Sequence, residues 1–317
     1  VAAVEFPLRT GASIVLELPP MKHLFACLLL AVVLPSAHAA APAKPLRALV
    51  ISGGCCHDYA LQHVILKEGL EARAHIEVDP IHSPDRSTKA KFEKYEKPDW
   101  AKGYDVIIHD ECSADVKDLP YVNNILAAHK AGIPAVNLHC AMHSYRVGQF
   151  REPVQPGSPD ALWFDLLGLQ STGHGPQVPI EVTIVNKDHP VTKPLGNWTT
   201  INEELYNNVK VFPSAIPMMK GKQVIKQKDG TTKEVESIVT WGNLYGQTRI
   251  FSSTLGHNNA TVGDPRYLDM VTRGLLWSCD KLNDTYLKPT PKDPVPPSAK
   301  PFVEKAAADA KKAAEKK

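Results

Sequence analysis

Four short polar clusters, each set straight after an apolar run, hold most of the residues in this sequence that could do chemistry. Gly53-Gly54-Cys55-Cys56-His57-Asp58 follows ALVIS, and His109-Asp110-Glu111 follows DVII. His139-Cys140-Ala141-Met142-His143-Ser144 follows AVNL, and Gly256-His257-Asn258-Asn259 follows RIFSSTL. Imidazoles titrate near neutrality, so their neighbours can tune them to take or give a proton. His57, His139, His174 and His257, with the carboxylate of Glu204, are therefore a candidate acid-base set. Glu204 is the natural base if Tyr206 and Trp241 desolvate it and raise its pKa. The same residue types ligate zinc or a similar divalent transition ion, with His57, His139 and His257 as the ligands if one binds. As a metal pattern the spacing is loose. His139 and His143 are four apart, but the first ends a strand, so they need not converge.

Such clusters need a frame that brings strand ends together. Arg47 to Ser52, Ile76 to Asp79, Asp105 to His109 and Ala135 to Leu138 read as strands. Helical spacing separates them at Leu61 to Ala72 and at Tyr121 to Lys130, the latter ended by Gly132 and Pro134. Pro80 to Lys97 is polar and expected to be a mobile loop with a helical piece. The alternation predicts a flavodoxin-like, doubly wound and mainly parallel α/β sheet, whose ligands bind at the carboxyl ends of the strands. Further on, Asp160 to Leu167 reads as a short helix and Ile180 to Val185 as a strand. Val235 to Trp241 and Arg249 to Thr254 form a late hairpin turning at Gly242 to Gly246, and Tyr267 to Cys279 is an amphipathic closing helix.

At 317 residues, 43% hydrophobic and 22% charged, the chain can bury a full core, expected as one domain over residues 45–285. A net charge of +2 leaves no electrostatic footprint for nucleic acid. Met21-Lys22-His23, the apolar run Leu24 to Leu34 and Ala37-His38-Ala39 read as a secretory signal peptide over residues 21–39. That predicts export to the periplasm or beyond, in a bacterial envelope, with residues 1–20 an over-extension of the reading frame. The apolar run is shorter than the roughly 20 residues of a membrane span, and no later run comes close. Without Cys27, five cysteines remain, so at least one thiol is unpaired. A bridge between the adjacent Cys55 and Cys56 would be strained and is not expected. Residues 286–317 read as a proline-rich linker and a disordered alanine- and lysine-rich tail. His63, His75, His82 and His129 are expected to face solvent or cap helices.

Taken in order, seven segments carry a likeness: GG…HD at Gly53 to Asp58, LH…HS at Leu138 to Ser144, GHG at Gly173 to Gly175, and DHPVTKPL at Asp188 to Leu195. EELY at Glu203 to Tyr206, RIFSSTLGHN at Arg249 to Asn258 and TRGLLW at Thr272 to Trp277 complete it. Over about Arg47 to Asp280 the chain resembles the ThuA-like (trehalose-utilisation) family of the class I glutamine amidotransferase-like superfold. The resemblance implies a layered α/β domain and a small-molecule carbohydrate, with no nucleotide cofactor.

It also raises a cysteine nucleophile, since related amidotransferases put a cysteine at the turn after a strand and a histidine after a late strand, as Cys140 and His257 are here. The amidotransferase turn is Gly-x-Cys-x-Gly, whereas Leu138 and Met142 hold the glycine places and Asn259 that of the third member. Glutamine amidotransferase activity is accordingly not expected. The preferred reading makes Glu204 and His257 the acid-base pair, His139 their assistant, and His57, Asp58, Asp110, Cys140, His143, His174, Tyr206 and Asn258 the substrate-binding pocket. Tyr206, Trp163 and Trp241 could give an aromatic platform for a sugar ring, although burial is the usual fate of tryptophan. Two alternatives stand beside this reading: a non-catalytic sugar-binding module and the Cys140–His257 hydrolase.

Overall fold

The computed structural model describes residues 43–315, so the expected leader and the segment before it lie outside the described residues. In chain order the elements are β1 (Leu46–Gly54), α1 (Tyr59–Arg73), β2 (Ile76–Ser83), β3 (Val106–Cys112), α2 (Leu119–Lys130), β4 (Ala135–Leu138) and α3 (Leu162–Leu167). They continue as β5 (Leu169–Ile184), β6 (Trp198–Val211), β7 (Ala215–Lys226), β8 (Thr232–Tyr245), β9 (Thr248–Ser253), α4 (Asn259–Val262), α5 (Pro265–Ser278) and α6 (Lys300–Ala314).

All nine strands join one sheet in the order β2-β1-β3-β4-β9-β8-β7-β5-β6. The first five positions pair in parallel, and from β9 onward every pairing is antiparallel. The parallel half is the doubly wound sheet that the alternation predicts. In β1 the unbroken apolar run Ala48 to Ile51 is buried throughout, because helices cover both faces of the sheet. On one face Val50, Ile108 and Val136 pack with Leu66 and Leu70 of α1 and Leu268, Val271 and Leu275 of α5. On the other, Leu49, Ile51 and Ile107 pack with Val122, Ile125 and Leu126 of α2 and Phe164 and Leu167 of α3. Each fully buried aliphatic side chain contributes roughly 1.5–3 kcal/mol, so these two layers fix the strand ends that carry the polar clusters.

The antiparallel half goes beyond the expectation. The late hairpin is present as β8 and β9, but Ile180 to Val185 is only the end of a 16-residue strand, and β6 and β7 are additional. The Gly173-His174-Gly175 motif lies inside β5, paired across to Tyr206 on β6. The Pro80 to Lys97 stretch is anchored rather than loose, since Ala90, Phe92 and Tyr95 are buried and the Phe92 amide donates to the Tyr121 hydroxyl of α2 at 2.8 Å.

The tail also differs from the expected disorder. Pro297–Ala299 forms a 3-10 turn that starts α6, and Ala299 is fully buried, with Val295 and Val303 packed on the same core layer. These apolar contacts supply what an alanine- and lysine-rich helix lacks in isolation. Among the described residues no helix is long and apolar enough to cross a membrane.

Candidate functional site

Three of the four polar clusters meet where the parallel strands end. β1 runs into Gly53 and Gly54, and Gly54 is obligatory: its φ is 95° and a Cβ there would overlap the Cys112 carbonyl. That close turn delivers His57 just before α1. β4 ends at Leu138, and His139 follows with φ 43° at the head of a 3-10 turn, His139–His143. The left-handed residue at this elbow is thus His139, not Cys140, and such a backbone is disfavoured for a residue with a Cβ. β9 delivers His257 just before α4, whose N-cap is Asn258.

The three imidazoles converge, with ring centroids 4.6 Å apart for His57 and His139, 4.9 Å for His57 and His257, and 5.6 Å for His139 and His257. Glu204 reaches them from β6. Its carboxylate lies 3.5 Å from His139 Nε2, 3.3 Å from His257 Nδ1 and 3.6 Å from His174 Nε2. Gln177, opposite Glu204 on β5, donates to Glu204 Oε1 at 3.2 Å, and its amide nitrogen lies 2.9 Å from His257 Nε2. Glu203 accepts the His257 backbone amide at 3.0 Å. Glu204 and His139 are 5% and 3% exposed, while the side chain of His257 is 19% exposed and that of His174 43%. The cluster is therefore closed at the bottom and open at His257 and His174.

Electrostatics reverse one expectation. Burial acts to raise the Glu204 carboxyl, but the nearby His139 and His257 outweigh it and hold Glu204 well below the ordinary carboxylate range. Burial likewise acts to lower His139, but Glu204, with Glu203, Cys140 and the Thr254 carbonyl, together outweigh it and lift the imidazole to about 9. Trp241, expected to desolvate Glu204, instead packs in the opposite core layer with its indole donating to the Leu167 carbonyl at 2.7 Å. Glu204 is a standing anion rather than a raised-pKa base.

The remaining candidates divide. A cleft of about 490 Å³ separates His57, Asp58, His257 and Asn258 from Phe302 and Lys305 of α6, so the tail forms one wall of the site. Asp58 accepts from Asn259 at 2.8 Å, and the Asn258 side chain caps α4. Asp110 lies buried beneath the cluster, taking the Ser52 hydroxyl at 3.0 Å, and burial pushes its carboxyl well up. His143 is buried too, hydrogen-bonded to Ser171 at 2.9 Å and stacked on Tyr206 at 4.3 Å. Tyr206, Trp163 and Trp241 are all buried, so they offer no aromatic platform to a ligand. Trp163 is core, as burial statistics predict, whereas Trp277 is half-buried. His109 and Glu111 do not join the rim: they lie in a closed network with Tyr95, Tyr145 and His129. His129 is fully buried there, contrary to its expected solvent-facing place.

Cys140 is buried, and Cys112 holds its thiol down against burial, with His143 and His57 adding to the effect. No hydrogen bond joins Cys140 to His257 among the described residues; the imidazoles that act on its thiol are His143 and His57. Cys55 and Cys56 are joined in a vicinal disulfide, correcting the expectation that adjacent cysteines stay apart, and Cys112, Cys140 and Cys279 are free. Gln177 escaped the sequence reading, and Glu203 entered it only as part of the EELY segment, with no place in the site. Register shifts in the β5–β6 ladder interrupt the period-two alternation that would have set Gln177 opposite Glu204.

The family described as ThuA, trehalose utilisation, matches residues 47–278. Among solved structures, a ThuA-like protein from Parabacteroides merdae ATCC 43184 aligns with a TM-score of 0.59 at 21% identity, covering 79% of this chain and 94% of that one. One from Bacteroides uniformis ATCC 8492 aligns with a TM-score of 0.50 at 16% identity, covering 77% and 95%. At these identities the likeness shows the fold alone. No curated protein matches the sequence.

Proposed function

Because the chain belongs to the ThuA (trehalose utilisation) family, we propose that it acts on a carbohydrate by proton transfer at the Glu204–histidine cluster, with trehalose, another glycoside or a keto-sugar as the substrate class. The observation that carries this reading is one buried carboxylate within 3.3–3.6 Å of three imidazoles. A standing anion there orients the rings and favours the protonated form of His139, as the buried aspartate does in a Ser-His-Asp triad. His257, at the edge of the cleft, is the group that exchanges a proton with a sugar hydroxyl or carbonyl. Glu204 and His139 position it from behind, and His57 faces the ligand from the opposite edge. The leader-like pattern over residues 21–39 adds that this chemistry takes place outside the cytoplasm.

The test is turnover of a panel of glycosides and keto-sugars by the wild-type protein, Glu204→Gln and His257→Ala, with products resolved by NMR. General acid-base roles predict losses of about 100-fold or more in each variant. Unchanged turnover in both variants sinks the assignment. Saturable binding that leaves every sugar intact would make the protein a sugar-binding module instead.

A further inference from the structure

We infer that His57, His139 and His257 form a binding site for one divalent first-row transition ion, with zinc the leading candidate. One nitrogen from each ring lies within 4.8 Å of those of the other two, close enough for small side-chain rotations to bring all three to the roughly 2.0–2.1 Å of a zinc–imidazole bond. The second nitrogen of each ring is already engaged by the protein. His57 Nδ1 lies 3.0 Å from the His257 carbonyl, His139 Nδ1 lies 2.6 Å from the Thr254 carbonyl, and His257 Nε2 lies 2.9 Å from the Gln177 amide. A carbonyl can only accept, so His57 and His139 donate from Nδ1 and turn Nε2 toward the cluster, where a bound ion would take the place of a proton. Turning the Gln177 amide over, which gives up its hydrogen bond to Glu204, lets His257 donate from Nε2 and present Nδ1. This arrangement, one ring nitrogen free and the other held by a carbonyl, is the one that fixes metal-binding histidines.

A second observation points the same way. His139 Nε2 and His257 Nδ1 are buried without a hydrogen-bond partner, although Glu204 is near both. Glu204 lies 3.5 Å from the first and 3.3 Å from the second without closing a hydrogen bond to either, and a cation between them would engage both nitrogens and the carboxylate together. Glu204 supplies negative charge and a further oxygen donor there. The alternative thiol group, Cys55, Cys56 and Cys112, has two of its three sulfurs joined to each other, which removes them as thiolates. The inference deepens the carbohydrate reading, for such an ion would serve as a Lewis acid beside the cleft, and it rests on that reading only for this role.

The experiment titrates cobalt(II), as a coloured probe, into chelator-stripped full-length protein with its disulfide intact. The expected result is one cobalt per chain with visible ligand-field bands, displaced by zinc. His57→Ala and His139→Asn, the latter keeping a residue that tolerates positive φ, should each weaken binding about 100-fold. Gln177→Ala, which leaves every ligand in place, should weaken it about 10-fold with an unchanged circular dichroism spectrum. No stoichiometric binding, binding indifferent to all three substitutions, or a sulfur-to-cobalt charge-transfer band lost in Cys112→Ser would each overturn the site. Cobalt bound as expected without turnover of any sugar keeps the metal site and removes the carbohydrate reading. Sugar turnover that survives chelation, with no cobalt bound, removes the metal site and keeps the reading.

Discussion

Replacing Glu204 by glutamine keeps the shape of the side chain and removes the charge that holds the histidine cluster together. In the wild-type protein stripped of metal, His139 is lifted to about 9 although burial acts against it. Without the Glu204 carboxylate, burial is opposed only by Glu203, Cys140 and the Thr254 carbonyl, and the imidazole should fall from about 9 toward its ordinary range. Each pH unit of that fall corresponds to about 1.4 kcal/mol of coupling between Glu204 and His139. The sign follows: a raised histidine contributes stability that is complete below pH 6.5 and is lost as the pH rises through about 9. Wild type should therefore lose stability between those values, and Glu204→Gln should show less of that loss. Two-dimensional ¹⁵N–¹H NMR of the imidazoles, titrated in chelator-treated protein, reads the pKa directly, and urea unfolding across the same pH range reads the linkage. If His139 titrates at the same pH in both proteins, the electrostatic account of the cluster is refuted.

Three further outcomes follow from the rest of the structure. His129, buried to a pKa of about 3, should make unfolding take up a proton, so stability falls from pH 6.5 toward 3 by up to about 1.4 kcal/mol per pH unit. His129→Gln should lose that slope in urea titrations run at successive pH values. Gly54→Ala, which drives a Cβ into the Cys112 carbonyl at φ 95°, should cost about 2–4 kcal/mol, read from the urea midpoint. Val303→Asp should loosen α6 from the core layer it packs on, and hydrogen exchange should speed up in α6 while the parallel strands stay protected.

The parallel half of the sheet was legible because its strands are buried on both faces and so read as continuous apolar runs. β4, only four residues long, is found where AVNL predicts it, and the polar cluster after it is the elbow of the site. β6 and β7 were not legible. Asn202, Lys210, Lys220 and Lys222 interrupt their apolar pattern, and Pro217 and Gly221 in β7 argue locally against a strand that the ladder nevertheless supports. The convergence of His57, His139 and His257 was anticipated from strand order, since all three follow the carboxyl ends of parallel strands. Their electrostatics were not. Whether Glu204 is raised or lowered depends on imidazoles 53 residues further along in one direction and 65 residues back in the other. Likewise α6 looked like a free tail because its anchor, Ala299 and Val303, is too small to produce an apolar stripe.

The central claim is that carbohydrate engages the Glu204–histidine cluster, and imidazole NMR during a sugar titration tests it most directly. The account predicts that His57 and His257 resonances shift together and saturably with at least one glycoside or keto-sugar, while those of the remote buried His129 stay fixed. Saturable sugar binding that leaves both cleft histidines unmoved would contradict it.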